Sequence, residues 1–358
     1  MTRDEYEEQI RRNLKEHREK HPDARAEDVV KFVFQGFLGA GHLLGDPEET
    51  EKRISLEMRG EEPSGREPLT EAVSPSWCRL NLRRAKAENL TPRMISGMMY
   101  AIQPADRFTE TDVERFCRAA AEKEREPEII GALIPLMKGN RLPSHSRTYR
   151  EKYRPAYRVV SDEWRDILPA LCAAAAKQRQ PGNTLITIDG PCASGKTTLA
   201  GRIAGVLGCG VLHTDEFVVP HAMKTPERLA VPGGNCDWER LVRDVLRPWK
   251  QGTAVLYQRY DCRGDRFLPP EELKPGNLLI LEGSYSGLPA IRALSDVRIF
   301  MNVPEKVRME RLKKRESSDS LKRFLDMWIP LENAYFATYG LPDGECFLYP
   351  ERGNERDQ

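Results

Sequence analysis

The sequence predicts an α/β fold with a mainly parallel sheet and flanking helices, preceded by an all-α region. The first half of the chain shows apolar residues at helical spacing only. From residue 184 onward, short apolar runs alternate with amphipathic segments, a pattern that favours a parallel sheet covered by helices on both faces. With 358 residues the chain is long enough for two domains with separate cores, which we place at 1–180 and 181–358.

Composition and charge argue against several classes of protein. Hydrophobic residues make up 39% and charged residues 31% of the chain, and 56 Lys and Arg oppose 55 Asp and Glu. This balance gives no overall attraction to nucleic acid or to an anionic membrane. No apolar run approaches the roughly 20 residues of a transmembrane helix, and the charged N-terminus does not resemble a signal peptide. Eight scattered cysteines without a Cys-x-x-Cys pair indicate reduced thiols in a cytoplasmic protein. Formation of a homo-oligomer stays open.

The helical prediction for the first half rests on apolar residues that share one helix face. They form three groups: Val29, Val30, Val33, Phe34, Phe37 and Leu38; Met94, Ile95, Met98, Met99 and Ile102; and Trp164, Ile167, Leu168 and Leu171. Thr91 and Pro92 read as an N-cap followed by proline at the first helical position. No run in this half has convincing strand character. His42 and the tyrosine-rich stretch at 144–158 are candidates for ligand contacts. The alternative for His42 is a structural role, and the alternative for 144–158 is an ordinary interdomain surface.

The second half follows a polar linker at 177–183, which ends in turn-forming residues. Its candidate strands are Thr184–Ile188, Val211–Thr214, Thr253–Tyr257, Asn277–Leu281 and Val297–Val303. Between them lie segments that fit helices, and the last segment, 321–339, reads as a helix interrupted near Pro330. This order of elements predicts that the carboxyl ends of several strands meet at one sheet edge.

A phosphate-binding loop is the strongest motif in the sequence. Residues 190–197 read GPCASGKT and match G-x-x-x-x-G-K-[ST] at every fixed position, between an apolar run and a helix-compatible segment. Glycines let successive backbone N–H groups point at phosphate oxygens, and the helix N-terminus adds its positive end. The residues predicted to hold ATP are Gly190, Ala193, Ser194, Gly195, Lys196, Thr197 and Thr198. Lys196 is placed to reach the β- and γ-phosphates, and the Thr197 hydroxyl to bind Mg²⁺. A glycine-rich turn with a solvated lysine is the alternative.

Two acids follow candidate strands of the second half. Asp215 comes directly after the strand at 211–214, where it is suited to accept a proton from a hydroxyl or to hold magnesium through water. Glu282 follows the strand at 277–281 and resembles a Walker B acid, which orients the water shell of the metal. For both residues a helix cap or an ordinary loop carboxylate is the competing interpretation.

A basic segment follows the last candidate strand. It carries Arg308, Arg311, Lys313, Lys314 and Arg315 on a predicted helix. In a protein with a phosphate-binding loop, such a helix can close as a lid and bring cations to the transferring phosphoryl group. A solvated helix face is the alternative.

Residues 184–338 resemble the uridine kinase and phosphoribulokinase-like branch of the P-loop kinases. The resemblance is carried by ITIDGPCASGKTTLA, by His213-Thr-Asp-Glu-Phe, by Asn235 and Asp237, by Tyr260-Asp261, by Glu282-Gly283, and by 296–300 with Arg308, Arg311 and Arg315. It implies a P-loop kinase-type sheet, ATP and Mg²⁺ as cofactors, Asp215 as catalytic base, and Arg311 and Arg315 as catalytic lid residues. It also implies that Tyr260 and Asp261 bind the acceptor. Glu216, Leu312 and Glu316 depart from the family pattern, and the segment 328–336 is not assigned by it.

These observations predict an ATP-dependent small-molecule kinase that phosphorylates a hydroxyl of a nucleoside-, sugar- or vitamin-like acceptor. Lys196, Asp215, Arg311 and Arg315 are its predicted catalytic residues, and Thr197 and Glu282 its metal site. A nucleotide-switched regulatory ATPase, whose helical domain binds a partner, is the alternative. A nucleic-acid end kinase is disfavoured because the net charge is only +1.

Overall fold

The computed structural model describes residues 1–40, 44–102, 108–139, 142–273 and 276–350. The chain divides into two compact units, Met1–Arg165 and Asp166–Gln358. His42 lies outside the described residues. Among the described helices, none combines the length and the apolar character that a membrane crossing requires.

The first unit is mostly helical, as predicted. Its helices are α1 (Arg3–Lys20), α2 (Ala26–Leu38), α3 (Pro47–Gly60), α4 (Leu82–Ala87), α5 (Pro92–Ala101), α6 (Glu110–Glu124), α7 (Glu128–Met137) and α8 (Arg147–Tyr153). Apolar side chains of α1, α2, α6 and α7 form one core cluster, to which Val29, Val33 and Phe37 contribute as their spacing predicts. Helix α5 begins after Thr91, whose hydroxyl accepts the backbone N–H of Met94 at 3.2 Å. That cap confirms the predicted helix start.

A small antiparallel sheet in the first unit corrects the all-α prediction. Its strands are β1 (Thr70–Ala72), β2 (Trp77–Asn81) and β3 (Tyr157–Ser161), paired in the order β1-β2-β3. The sequence lacked the strand signal because β1 is very short and β2 is buried at four successive positions, so no polar–apolar alternation marks it. The pairing of β2 with β3 joins segments about 80 residues apart in the chain.

The second unit is an α/β structure. Its helices are α9 (Leu168–Gln178), α10 (Lys196–Leu207), α11 (Pro226–Ala230), α12 (Trp238–Arg240), α13 (Arg247–Lys250), α14 (Pro289–Arg292), α15 (Glu305–Arg315), α16 (Ser318–Arg323) and α17 (Ile329–Tyr339). Its strands are β4 (Thr184–Asp189), β5 (Gly210–His213), β6 (Leu256–Tyr257), β7 (Tyr260–Asp261), β8 (Arg266–Phe267), β9 (Glu271–Glu272), β10 (Leu278–Glu282), β11 (Val297–Met301) and β12 (Phe347–Tyr349). A π-helical stretch at 324–328 joins α16 to α17 and is the interruption predicted near Pro330.

The main sheet has the order β12-β11-β4-β10-β5, and all of its neighbouring strands are parallel. Four of the predicted strands lie in it. The prediction for Thr253–Tyr257 is wrong in part, since only β6 forms there and it pairs with β9 outside the main sheet. The fifth strand is β12, which the sequence did not predict. Because the strands are parallel, Asp189, His213 and Glu282 end neighbouring strands at one edge.

The boundary at 180/181 is also corrected, because α9 belongs to the second unit. This helix packs on β4 and β11, and its residues Leu168, Leu171 and Ala174 are buried. The polar segment predicted as a linker, 177–183, instead ends α9 and turns the chain into β4. The physical reason is that the central strands are buried on both faces, so the sheet needs the apolar side of α9 as cover.

We expect a fragment of 181–358 to be less stable than a fragment of 166–358. Without α9, the side chains of β4 and β11 that pack against its leucines become exposed to solvent. Each large apolar side chain that loses its packing in this way costs about 1.5–3 kcal/mol of stability. The free energy of unfolding from urea titration should therefore fall by about 4 kcal/mol or more. Equal stability of the two fragments would restore the boundary at 180/181.

Candidate active site

The phosphate-binding loop connects β4 to α10, as its motif predicts. Gly190, Ala193 and Gly195 have φ values of 141°, 57° and 99°, which turn successive peptide groups toward one concave side. A Cβ atom at Gly190 would lie 2.7 Å from the Cβ of Met301 on β11. Glycine is therefore required there both for its backbone angle and for the close approach of the neighbouring strand.

Lys196 begins α10 and bends back over the loop. Its ammonium group donates hydrogen bonds to the carbonyl oxygens of Gly190 at 2.8 Å and Pro191 at 3.0 Å. The hydroxyl of Ser194 is buried and has no hydrogen-bond partner among the described residues. A buried donor of this kind, in a loop of positive-φ residues, fits a ligand that brings oxygen acceptors such as phosphates.

Thr197 and Glu282 meet at the sheet edge, where the sequence places the metal site. The Thr197 hydroxyl donates to Glu282 Oε1 at 2.9 Å, and the Nδ1 atom of His213 lies 2.5 Å from the same oxygen. That hydrogen bond, against the effect of partial burial, raises the pKa of His213. A hydroxyl and a carboxylate side by side are the hard oxygen ligands that Mg²⁺ prefers, so these two residues fit the predicted metal site.

Asp215 lies on a short 3₁₀ turn, Thr214–Phe217, directly after β5. Asp215 as a residue is exposed, although protein groups surround its carboxylate closely enough to reduce its hydration. Reduced hydration raises its pKa, and the charges of Glu282 and Glu332 act in the same direction while Lys196 opposes them. No side-chain cap accompanies the turn. The electrostatic partners place Asp215 beside the phosphate-binding loop and the predicted metal site.

The basic helix α15 brings two of its three arginines to the loop. Arg308 donates to the carbonyl of Cys192 at 3.4 Å, and Arg311 donates to the carbonyl of Ser194 at 3.1 Å. Leu312 is fully buried and anchors the helix. Arg315 instead pairs with Glu316 at 2.6 Å and stays exposed. The structure therefore brings Arg311, but not Arg315, to the phosphate-binding loop.

Sequence reasoning missed the contribution of α17. Glu332 accepts hydrogen bonds from the backbone N–H of Cys192 at 2.8 Å and from the Ser284 hydroxyl at 2.6 Å. One turn later, the Tyr335 hydroxyl donates to Asp189 at 2.6 Å. Burial raises the pKa of Asp189 to about 6. The signal in the sequence was an acid and a tyrosine three residues apart in a helix of mainly apolar residues.

Tyr260 and Asp261, which were predicted to bind the acceptor, lie on the hairpin β7–β8. The Tyr260 hydroxyl pairs with Asp265 and accepts the backbone N–H of His221 at 3.1 Å. Asp261 accepts the backbone N–H of Arg263 at 3.0 Å. Both side chains thus hold the hairpin together, and the hairpin packs against the turn that carries Asp215. Their role toward an acceptor stays a prediction.

Asn235 and Asp237 have different surroundings. Asp237 caps α12 and pairs with Arg240 at 3.0 Å, so its contacts are structural. The side-chain oxygens Asn235 Oδ1 and Glu216 Oε2 are both buried without a hydrogen-bond partner among the described residues. They lie on two segments that run side by side, since Val219 donates to the Asn235 carbonyl at 3.0 Å.

The comparison with protein families concerns the second unit. Residues 186–334 match the family model described as AAA domain. A search of curated proteins finds no match to this chain.

Among solved structures, a protein assigned as a fructose transport system kinase from Silicibacter sp. TM1040 is 27% identical, with a TM-score of 0.40, over 48% of this chain and 94% of that chain. A protein assigned as a possible uridine kinase from Bacillus stearothermophilus is 22% identical, with a TM-score of 0.38, over 50% of this chain and 94% of that chain. A deoxyadenosine kinase from M. mycoides is 17% identical, with a TM-score of 0.23, over 46% of this chain and 90% of that chain.

The loop geometry, the parallel strand order and the match over 186–334 lead to one conclusion. The second unit is a P-loop domain of the α/β class that the sequence predicts.

Proposed function

We propose that the second unit is an ATP- and magnesium-dependent kinase that phosphorylates a hydroxyl group of a small molecule. The observation that carries the proposal is a second acid at the site. Besides Glu282, which accepts a hydrogen bond from Thr197, the domain holds the carboxylate of Asp215 within the electrostatic reach of Lys196. In phosphoryl transfer to an alcohol, such an acid takes the hydroxyl proton, so a second carboxylate beside the phosphate-binding loop supports a hydroxyl acceptor.

Each residue then has a defined task. Asp215 accepts the proton as the acceptor oxygen forms its bond to the γ-phosphorus and the bond to the bridging oxygen of ADP breaks. Lys196 and the loop N–H groups hold the β- and γ-phosphates, and Arg311 adds positive charge where negative charge develops. Thr197 and Glu282 would hold Mg²⁺, which would further neutralise the charge of the phosphates. Catalysis is mainly positioning and electrostatics, as phosphoryl transfer requires.

The unpartnered oxygens of Glu216 and Asn235 support a hydroxyl-bearing acceptor. Both are acceptors without donors among the described side chains, and a buried polar group of this kind favours a ligand that supplies the missing hydrogen bond. Sugars and nucleosides carry several hydroxyl donors. We therefore place the acceptor beside Asp215, next to the hairpin of Tyr260 and Asp261.

The direct test is a screen of nucleosides, sugars and vitamin-like alcohols for ADP production that depends on the acceptor. The expected result is a compound that raises ADP release well above the rate with ATP alone and is itself phosphorylated, as detected by mass spectrometry. ATP hydrolysis at the same rate with every compound would instead support the regulatory ATPase.

The lid arginines should differ in their effects. Arg311→Ala should lower kcat by about 10²-fold, the scale of losing one donor to the transition-state charge, and affect ATP binding less. Arg315→Ala should change kcat by about fivefold or less, because that side chain is exposed and paired with Glu316. Steady-state kinetics separate the two variants.

Hydrogen exchange gives an independent readout of the lid. A non-hydrolysable ATP analogue should slow exchange in 304–316, since Arg311 gains phosphate partners when the helix closes. Unchanged hydrogen exchange, together with normal turnover of Arg311→Ala, would show that the basic side of α15 is only a solvated helix face and not a lid.

A further inference from the structure

The first unit contains a cavity of about 560 Å³, a volume typical of sites for small organic ligands. Helix α1, the sheet β1–β3 and helix α8 form its walls. The residues that matter for its chemistry are Asn13 and His17 from α1, Glu71 and Arg79 from the sheet, and Tyr149 and Tyr153 from α8.

Two of these lining residues carry buried donors that lack an acceptor. Asn13 Nδ2 and Arg79 Nη2 have no hydrogen-bond partner among the described residues, and the two residues are only 7% and 2% exposed. Their other polar atoms are engaged. Asn13 accepts from Gln9 at 2.9 Å, and Arg79 donates to Gln35 at 2.9 Å and to Glu71 at 3.1 Å. Buried donors left open in this way favour a ligand that brings oxygen acceptors.

Arg79 is also held in position. Its guanidinium lies over the rings of Phe32 and Tyr157, at 4.8 Å and 4.6 Å from their centroids. Although burial opposes it, the charge of Arg79 and the hydrogen bond from His17 hold the pKa of Glu71 at about 2. One side of Arg79 is thus already paired, and the open Nη2 group is a fixed donor for a second anion.

A metal ion is the competing occupant, since His17, His21 and Glu71 offer ligand atoms within 4.8 Å of one another. Both nitrogens of His17 are already engaged, with Glu71 at 2.6 Å and with the Tyr149 hydroxyl at 3.3 Å. Arg79 Nη1 lies 3.4 Å from His17 Nδ1. A guanidinium this close to the ligand atoms repels a divalent cation and attracts an anion.

One part of the lining suits an apolar or aromatic body, while Glu16, Lys20, Glu67, Arg83 and Arg165 add charged side chains of both signs elsewhere. Tyr149 and Tyr153 pack against each other at a tilted angle, with ring centroids 4.8 Å apart, and Pro68, Pro155 and Ala156 lie in the same lining. We propose that this cavity binds a small organic anion, in which a carboxylate or phosphate group accepts hydrogen bonds from Asn13 and Arg79 and a flat or apolar body lies against the tyrosines. This site is separate in its residues from the phosphate-binding loop and does not depend on the kinase proposal.

The test uses simple probes on the full chain, with binding followed by titration calorimetry. Benzoate and phenyl phosphate represent the two kinds of anionic group, benzyl alcohol is the neutral probe of similar size, and zinc chloride tests the metal alternative. All titrations are repeated in Lys196→Ala, which weakens any contribution of the phosphate-binding loop.

Asn13→Asp is the informative variant because it keeps the acceptor for Gln9 and replaces the open donor by a negative charge. Lys123→Gln, on the exposed side of α6, changes the net charge by the same amount away from the cavity. We expect at least one anion to bind, and benzyl alcohol to bind at least about tenfold more weakly than that anion. Asn13→Asp should weaken binding of the anion by about tenfold or more, while Lys123→Gln should leave the affinity for the anion unchanged.

Two kinds of result overturn the proposal. One is absence of saturable anion binding in a folded protein, or equal anion binding in wild type and Asn13→Asp. The other is saturable zinc binding that is lost in His21→Ala, with no binding of either anion, which would assign the cavity to a metal. Circular dichroism and thermal melting of each variant show that a loss of binding is not a loss of folding.

Discussion

Replacing Lys196 by alanine should lower phosphoryl transfer by about 10³-fold or more, the upper scale for losing a donor to transition-state charge, and leave the fold intact. The ammonium group contacts the carbonyl oxygens of Gly190 and Pro191 and is only partly buried, so the core loses no packing with it. Its charge acts on the phosphates, and that interaction strengthens as charge moves to the bridging oxygen.

The measurement is ADP release with ATP and the acceptor found by the screen, combined with thermal melting. Lys177→Ala is the matched control, because it removes a lysine from an exposed position on α9 in the same unit. Normal turnover in Lys196→Ala would refute the role of the loop in phosphate binding.

Replacing Asp215 by asparagine should lower turnover by about 10²-fold or more, the scale of losing a general base, while ATP still binds. The substitution keeps the size of the side chain and removes its ability to take a proton. Asp244→Asn is the matched control, since that carboxylate is exposed and pairs only with its neighbour Arg243 among the contacts of the described residues. A fall in melting temperature without loss of turnover would instead identify Asp215 as a structural residue.

The pH dependence gives a second test of Asp215. A base must be ionised to accept a proton, and burial raises the pKa of this carboxyl. Turnover should therefore fall as pH drops through that raised pKa, at higher pH than an ordinary aspartate would give. The acid limb should disappear from the residual activity of Asp215→Asn, whereas the Asp244→Asn profile should match the wild type.

Much of the second unit follows from local sequence. The strands β4, β5, β10 and β11 were predicted because each is a short apolar run between turn residues, and a buried parallel strand needs no alternation. The strand β12 escaped prediction because Phe347–Tyr349 is only three residues long. Its partner β11 defines it, through the pairing of Ile299 with Phe347.

The first unit shows the same limit more clearly. Helices such as α2 and α5 can be predicted from the spacing of apolar residues and from capping residues, which act within a few positions. The sheet β1–β3 depends on pairing across about 80 residues, and the cavity beside it depends on that sheet. The tyrosine-rich stretch at 144–158 was weighed as an interdomain surface, yet Tyr149 and Tyr153 line a cavity within the first unit.

By itself, the sequence determined the phosphate-binding loop, the acid after β5, the acid that ends β10 and the basic helix, since each depends on backbone conformation over a few neighbouring residues. Only the tertiary structure decided which side chains meet there. Glu332 reaches the N–H of Cys192 across 140 positions of sequence, and Arg311 contacts the loop while Arg315, one turn later, does not. Such contacts depend on how α15 and α17 pack on the sheet, and packing is a property of the whole domain that no local pattern encodes.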